Sequence, residues 1–113
     1  MQTKLAHAGC NSSDDQFGSV TPPIHLATTF ERDVDLGYSK GFLYSRQDNP
    51  TRKAFEQAVA SAENGRDGVA FASGLAACSA LLTAVGPDAT VILPEDMYHG
   101  LGTLHEGVFR KWR

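Results

Sequence analysis

The sequence is short of everything that would send it to a membrane, a nucleic acid or an oxidising compartment. No apolar run approaches the roughly 18 residues of a membrane span, and Met1-Gln2-Thr3-Lys4 lacks the apolar core of a signal peptide. There is no basic block. Ten Lys and Arg against 13 Asp and Glu leave a net charge of −3, which argues against a nucleic-acid partner. Cys10 and Cys78 are the two cysteines; they form no CxxC and fit no disulfide framework, so they read as reduced thiols of a cytoplasmic protein. Neither GxGxxG nor GxxxxGKS occurs, which removes support for a dinucleotide or P-loop site. Ser73 has no GxSxG context, and the six-residue step from His99 to His105 does not match HExxH, so no metal site is expected. His25 joins His99 and His105 in inviting a metal reading that the spacing does not support, and His7 sits in the arm with no visible partner. With 42% hydrophobic and 20% charged residues, what remains is an ordinary globular composition at a length that suits one domain.

Periodicity divides the chain in two. Residues 1–40 show little of it: "NSSDDQFGS" and "TPPIH" are turn-rich, and Pro22-Pro23 enforces an extended backbone. This part reads as an extended arm, with "IHLATTF" as a short strand of weak alternation. From residue 49 the pattern sharpens. Asn49 suits an N-cap and Pro50 the first helical position, Ala54, Phe55, Ala58, Val59 and Ala62 recur at helical spacing, and Gly65 reads as the stop. Next come an apolar strand "GVAFAS", an Ala/Leu-rich helix "GLAACSALLTAV", a turn "GPDA" and a second apolar strand "TVILP". The last segment places Leu101, Leu104, Val108, Phe109 and Trp112 on one helical face, weakened by Gly102 and Gly107. Continuous apolar strands alternating with helices predict an α/β fold with parallel strands. Two such strands do not close a sheet, and Lys111-Trp112-Arg113 does not resemble a natural terminus. The expectation is therefore the front of something larger.

Two junctions can carry chemistry. At "FASGLAA" a strand ends, Ser73 can cap, Gly74 permits a tight turn and a helix begins. The first N–H groups of a helix have no intrahelical acceptor and the helix dipole favours an anion there, so the junction can cradle a phosphate. Many Ser-Gly turns hold no ligand, and by itself this one leaves both readings open. "PEDMYHG" follows the second strand, at the sheet edge where ligands collect in parallel α/β folds. Tyr98 there can stack on a flat heterocycle or pack on a loop.

Taken together, "YSRQDNPTR", "FASGLAA" and "EDMYHG", with "TPPIHLATTF" before them, resemble the cystathionine γ-synthase, cystathionine γ-lyase and methionine γ-lyase family. These are pyridoxal 5'-phosphate enzymes of Cys/Met metabolism with the type I aminotransferase fold. The resemblance covers nearly all 113 residues. It implies that residues 1–48 are an N-terminal arm contacting a neighbouring subunit, and that residues 49–113 begin the cofactor domain. Tyr44 and Arg46 then match the pair that reaches across a homo-oligomer interface to the cofactor phosphate. Gly74 and Leu75 match the positions whose N–H groups bind the same phosphate, with Ser73 capping; Leu75 stands where the family usually has methionine. Tyr98 matches the tyrosine that stacks on the cofactor ring and takes part in proton movement.

The chain departs from the family in what it does not contain. Lys4, Lys40, Lys53 and Lys111 are its lysines, and none sits in the serine/threonine-rich context of the family's Schiff-base lysine. The aspartate that pairs with the pyridine nitrogen and the substrate-carboxylate arginine are also missing. The resemblance implies elimination or γ-replacement on cystathionine or homoserine-type sulfur amino acids by a longer protein, with this stretch inactive alone. The alternative is a non-catalytic truncated paralogue that serves as a dimerisation or binding module.

Overall fold

The structure is a computed structural model that describes residues 5–8 and 17–111. Cys10, the stretch "NSSDDQ" and Trp112 lie outside the described residues. Contacts group the chain into two units, Met1–Ala70 and Phe71–Arg113.

In the first unit the helix α1 spans Pro50–Ala62. It starts where the sequence predicts, because Asn49 is extended and its side chain accepts from the Thr51 N–H at 2.9 Å, while Pro50 occupies a position that needs no donor. It stops slightly earlier than Gly65. Asn64 takes the left-handed conformation, φ 55°, and the Gly65 N–H returns to the Ala60 carbonyl at 2.8 Å. Asparagine tolerates that backbone nearly as well as glycine, so the reversal falls one residue before the expected one.

The arm is tied to the start of this helix. The His25 N–H donates to Thr51 Oγ1 at 2.8 Å, and Asn49 Nδ2 donates to the His25 carbonyl at 3.1 Å. Phe30 and Phe42 pack with ring centroids 5.4 Å apart, and the Lys53 ammonium lies 5.3 Å from the Phe42 centroid. The strand expected at "IHLATTF" is reduced to one antiparallel bridge, Thr29 to Tyr44, flanked by hydrogen bonds from Phe30 N–H to Leu43 O and from Ser45 N–H to Thr28 O. Its weak alternation offers no apolar face to hold a longer ladder.

In the second unit α2 spans Gly74–Val85 and α3 spans His99–Gly107, followed by a 3-10 turn over Phe109–Lys111; α2 and α3 pack together. Gly86, at φ 81°, closes α2 ahead of the turn at Pro87-Asp88. The last helix is shorter than its apolar face suggested. It gives way after Gly107, because glycine there contributes nothing to propagation.

The two parallel strands are the correction to the expected fold class. Among the described residues neither "GVAFAS" nor "TVILP" pairs with another segment, and no strand is present. Both run without a ladder, and Ile92 is 92% exposed. A strand exists by virtue of its neighbour's N–H and C=O groups; an apolar run supplies the face but not the partner. Among the described residues Ala60, at 8% exposure, is the buried apolar side chain, while Phe55, Val69 and Leu81 stand more than half exposed.

Candidate functional site

Tyr44, Arg46 and the turn between them belong to the first unit. The turn closes on the Tyr44 carbonyl, which accepts from Gln47 N–H at 2.9 Å and from Asp48 N–H at 3.1 Å. The bridge to Thr29 fixes the Tyr44 backbone from the other side. The two side chains meet: Arg46 Nη1 donates to Tyr44 Oη at 2.6 Å, and the guanidinium carbon lies 4.1 Å from the Tyr44 ring centroid. Arg46 is exposed and Tyr44 half-buried. A phenol that accepts from the guanidinium still has its O–H to give, so the pair presents donors to one anion.

Ser73, Gly74 and Leu75 form the start of α2 in the second unit. Ser73 is extended, and its Oγ accepts from the Ala76 N–H at 3.1 Å, which satisfies the third donor of the helix. The N–H groups of Gly74 and Leu75 meet no acceptor among the described residues. No acidic side chain occupies the first turn, and a Cβ added to Gly74 would meet nothing within 4 Å. The helix start is therefore open and unneutralised, with two donors facing outward. The chemistry of this donor set fits a phosphate monoester, as does that of the Tyr44–Arg46 pair.

Tyr98 is the N-cap of α3, where its carbonyl accepts from Leu101 N–H at 2.9 Å. Its side chain is 73% exposed, with the ring laid against Gly100: a Cβ at residue 100 would come within 2.6 Å of Tyr98 Cε1. Gly100 is thus what permits this ring orientation. A broad aromatic face held against backbone and open to solvent is suited to stacking.

Three contributors were missed in the sequence. Gly100 carries no sequence signal that sets it apart from Gly102 and Gly107. For Arg52 and Glu56 the signal in the sequence is the i,i+4 series Asp48, Arg52, Glu56. Arg52 lies 3.4 Å from the Asp48 carboxylate and 3.5 Å from that of Glu56, and Glu56 Oε1 also accepts from the Ala70 N–H at 2.8 Å.

Comparison with known proteins converges on one group. The model of the Cys/Met metabolism PLP-dependent enzyme family matches residues 2–113. A cystathionine gamma-synthase/O-acetylhomoserine (thiol)-lyase from Bacillus subtilis is 40% identical over 112 residues, 99% of this chain and 30% of that relative. A cystathionine beta-lyase from Coxiella burnetii is 39% identical over 111 residues, 98% of this chain and 28% of that relative. Among solved structures, cystathionine gamma synthase from Xanthomonas oryzae pv. oryzae superposes with a TM-score of 0.86 at 35% identity, covering 96% of this chain and 28% of that one. The chain spans less than a third of the length of these relatives.

Proposed function

This chain belongs to the Cys/Met metabolism PLP-dependent enzyme family, and from that premise we propose that residues 1–113 are the N-terminal part of a transsulfuration enzyme. The finer fold assignment goes with it: an arm over residues 1–48, then the first βα units of a type I aminotransferase-like domain over residues 49–113. The unpaired segments "GVAFAS" and "TVILP" become strands when the remainder of the sheet supplies their partners. We place the enzyme in the cytoplasm as a homo-oligomer acting on cystathionine or a homoserine-type sulfur amino acid. Synthase and lyase relatives match this stretch almost equally, at 40% and 39% identity, so overall similarity over these residues does not choose between them.

The observation that carries the reading is the open start of α2, with two unaccepted N–H groups behind a capping Ser73. There the Gly74 and Leu75 donors bind the cofactor phosphate, and the helix dipole adds attraction for its charge. Tyr44 and Arg46 bind the same group in a neighbouring subunit, where the planar guanidinium gives two parallel hydrogen bonds. Tyr98 orients the cofactor ring by stacking, and its phenolic oxygen can hold or pass a proton at the reacting face. When bound, pyridoxal phosphate supplies the electron sink that makes bonds near the amino acid's α-carbon labile.

The test is to express the complete coding sequence, load it with pyridoxal phosphate and assay cystathionine cleavage and cysteine addition to an activated homoserine. Cofactor uptake with one of these turnovers is expected. A protein that takes up no cofactor and turns over neither substrate would refute the reading and leave a binding or dimerisation module.

A further inference from the structure

We infer that Arg52 is a positioning residue for Arg46, fixing the peptide on either side of it and so aiming its guanidinium. The inference rests on the reading of Arg46 as a phosphate ligand and adds a residue to which no binding role attaches by itself. Arg52 sits in the first turn of α1 and reaches back over the loop. Its Nη1 donates to the Ser45 carbonyl at 3.2 Å, and its Nη2 donates to the Gln47 carbonyl and to Asp48 Oδ1 at 3.4 Å. Those two carbonyls belong to the residues immediately before and after Arg46.

The geometry requires a guanidinium. Two carbonyls two residues apart are held at once by two nitrogens of one rigid plane, which an ammonium on a flexible stem does not reproduce. The plane is itself held. Nε lies 3.5 Å from Glu56 Oε1, and that oxygen accepts from the Ala70 N–H at 2.8 Å. Helix α1, anchored by its Asn49 cap, thus carries a fork that pins the loop from below, while the bridge to Thr29 pins it at Tyr44. Arg46 then has a fixed backbone and an exposed side chain whose contact is Tyr44 Oη, 2.6 Å away. A ligand pre-aimed in this way avoids the entropy of ordering a loop when the phosphate arrives.

The experiment is a double-mutant cycle in the complete enzyme. Apoprotein carrying Arg52→Lys, Arg46→Ala, or both is titrated with pyridoxal phosphate, and cofactor absorbance gives the dissociation constant. Arg46→Ala should weaken binding by about tenfold or more, as expected for a lost hydrogen bond to a charged group. Arg52→Lys should weaken it several-fold in the native background and by less than about twofold once Arg46 is alanine, because coupled residues are non-additive. Arg52→Gln, which can serve one carbonyl, provides a second variant if the lysine form does not assemble. An unchanged constant in Arg46→Ala sinks the clamp reading itself. If Arg46→Ala weakens binding but the Arg52 variants do not, or do so equally in both backgrounds, the clamp stands and the positioning role of Arg52 is refuted.

Discussion

Tyr98 and Gly100 make a pair whose separate substitution distinguishes a stacking platform from an ordinary loop tyrosine. Tyr98→Phe keeps the ring and removes the phenolic oxygen; Tyr98→Ala removes both. At 73% exposure the side chain contributes little to the free protein, so neither change should lower stability by more than about 1 kcal/mol. Loss of an aromatic platform under a flat heterocycle costs about 1–3 kcal/mol by alanine substitution, roughly five- to 150-fold in cofactor affinity. Tyr98→Phe should stay within about threefold of the native affinity and lose rate instead, if the oxygen moves a proton. Gly100→Ala provides a third point without touching the tyrosine. Its Cβ would lie 2.6 Å from Tyr98 Cε1, well inside the carbon contact distance of about 3.5 Å, so the ring must swing away from the backbone. Affinity in that variant should fall between the other two. The assay is equilibrium titration of apoenzyme by cofactor absorbance, with turnover measured at saturating cofactor. Equal affinity losses in Tyr98→Phe and Tyr98→Ala would refute the platform.

Arg46→Ala should weaken cofactor binding by about 1.5–3 kcal/mol and leave the apoprotein's thermal midpoint nearly unchanged, because the side chain is exposed; the two titrations, thermal and cofactor, check this together. Gly68→Ala should destabilise the protein by about 1–3 kcal/mol, since the new Cβ would lie 2.5 Å from the Glu56 carbonyl oxygen, a backbone atom that cannot swing aside; an unchanged Tm would contradict the close approach of residue 68 to α1. Acid should loosen the turn over residues 33–39. The Asp33 carboxylate accepts from the Ser39 N–H and, at 3.0 Å, from Ser39 Oγ; these bonds hold its pKa below the usual value. The stability it contributes is present above the unfolded value of about 3.9 and is lost as pH falls through the lower folded one. The Ser39 amide resonance should therefore titrate with a midpoint below the ordinary carboxylate value of about 3.9. Residues 1–113 purified by themselves should self-associate on size-exclusion chromatography and cleave no cystathionine, given the exposure of Phe55, Val69, Leu81 and Ile92; a monodisperse, active monomer would overturn that.

What the sequence determined by itself is what a few neighbouring residues can decide. Asn49-Pro50 and Ser73-Gly74 open α1 and α2 because a cap is a bond between a side chain and a backbone N–H two or three residues on. Gly86 closes α2 for an equally local reason, a left-handed backbone that glycine adopts without strain. The open donors of Gly74 and Leu75 follow from those caps, so that part of the candidate site was legible before any coordinate. The tertiary structure decided what depends on residues far apart in the chain. The apolar runs "GVAFAS" and "TVILP" remain unpaired because a strand needs another segment's hydrogen-bonding groups, which no run carries within itself. Three-dimensional approach likewise brought the Ala70 N–H onto Glu56, 14 residues away in the chain; at shorter range the fold of the loop, rather than residue type, set the Ser45 and Gln47 carbonyls against Arg52. Even the ring of Tyr98 owes its orientation to the space left at Gly100, a matter of packing that residue type alone does not reveal.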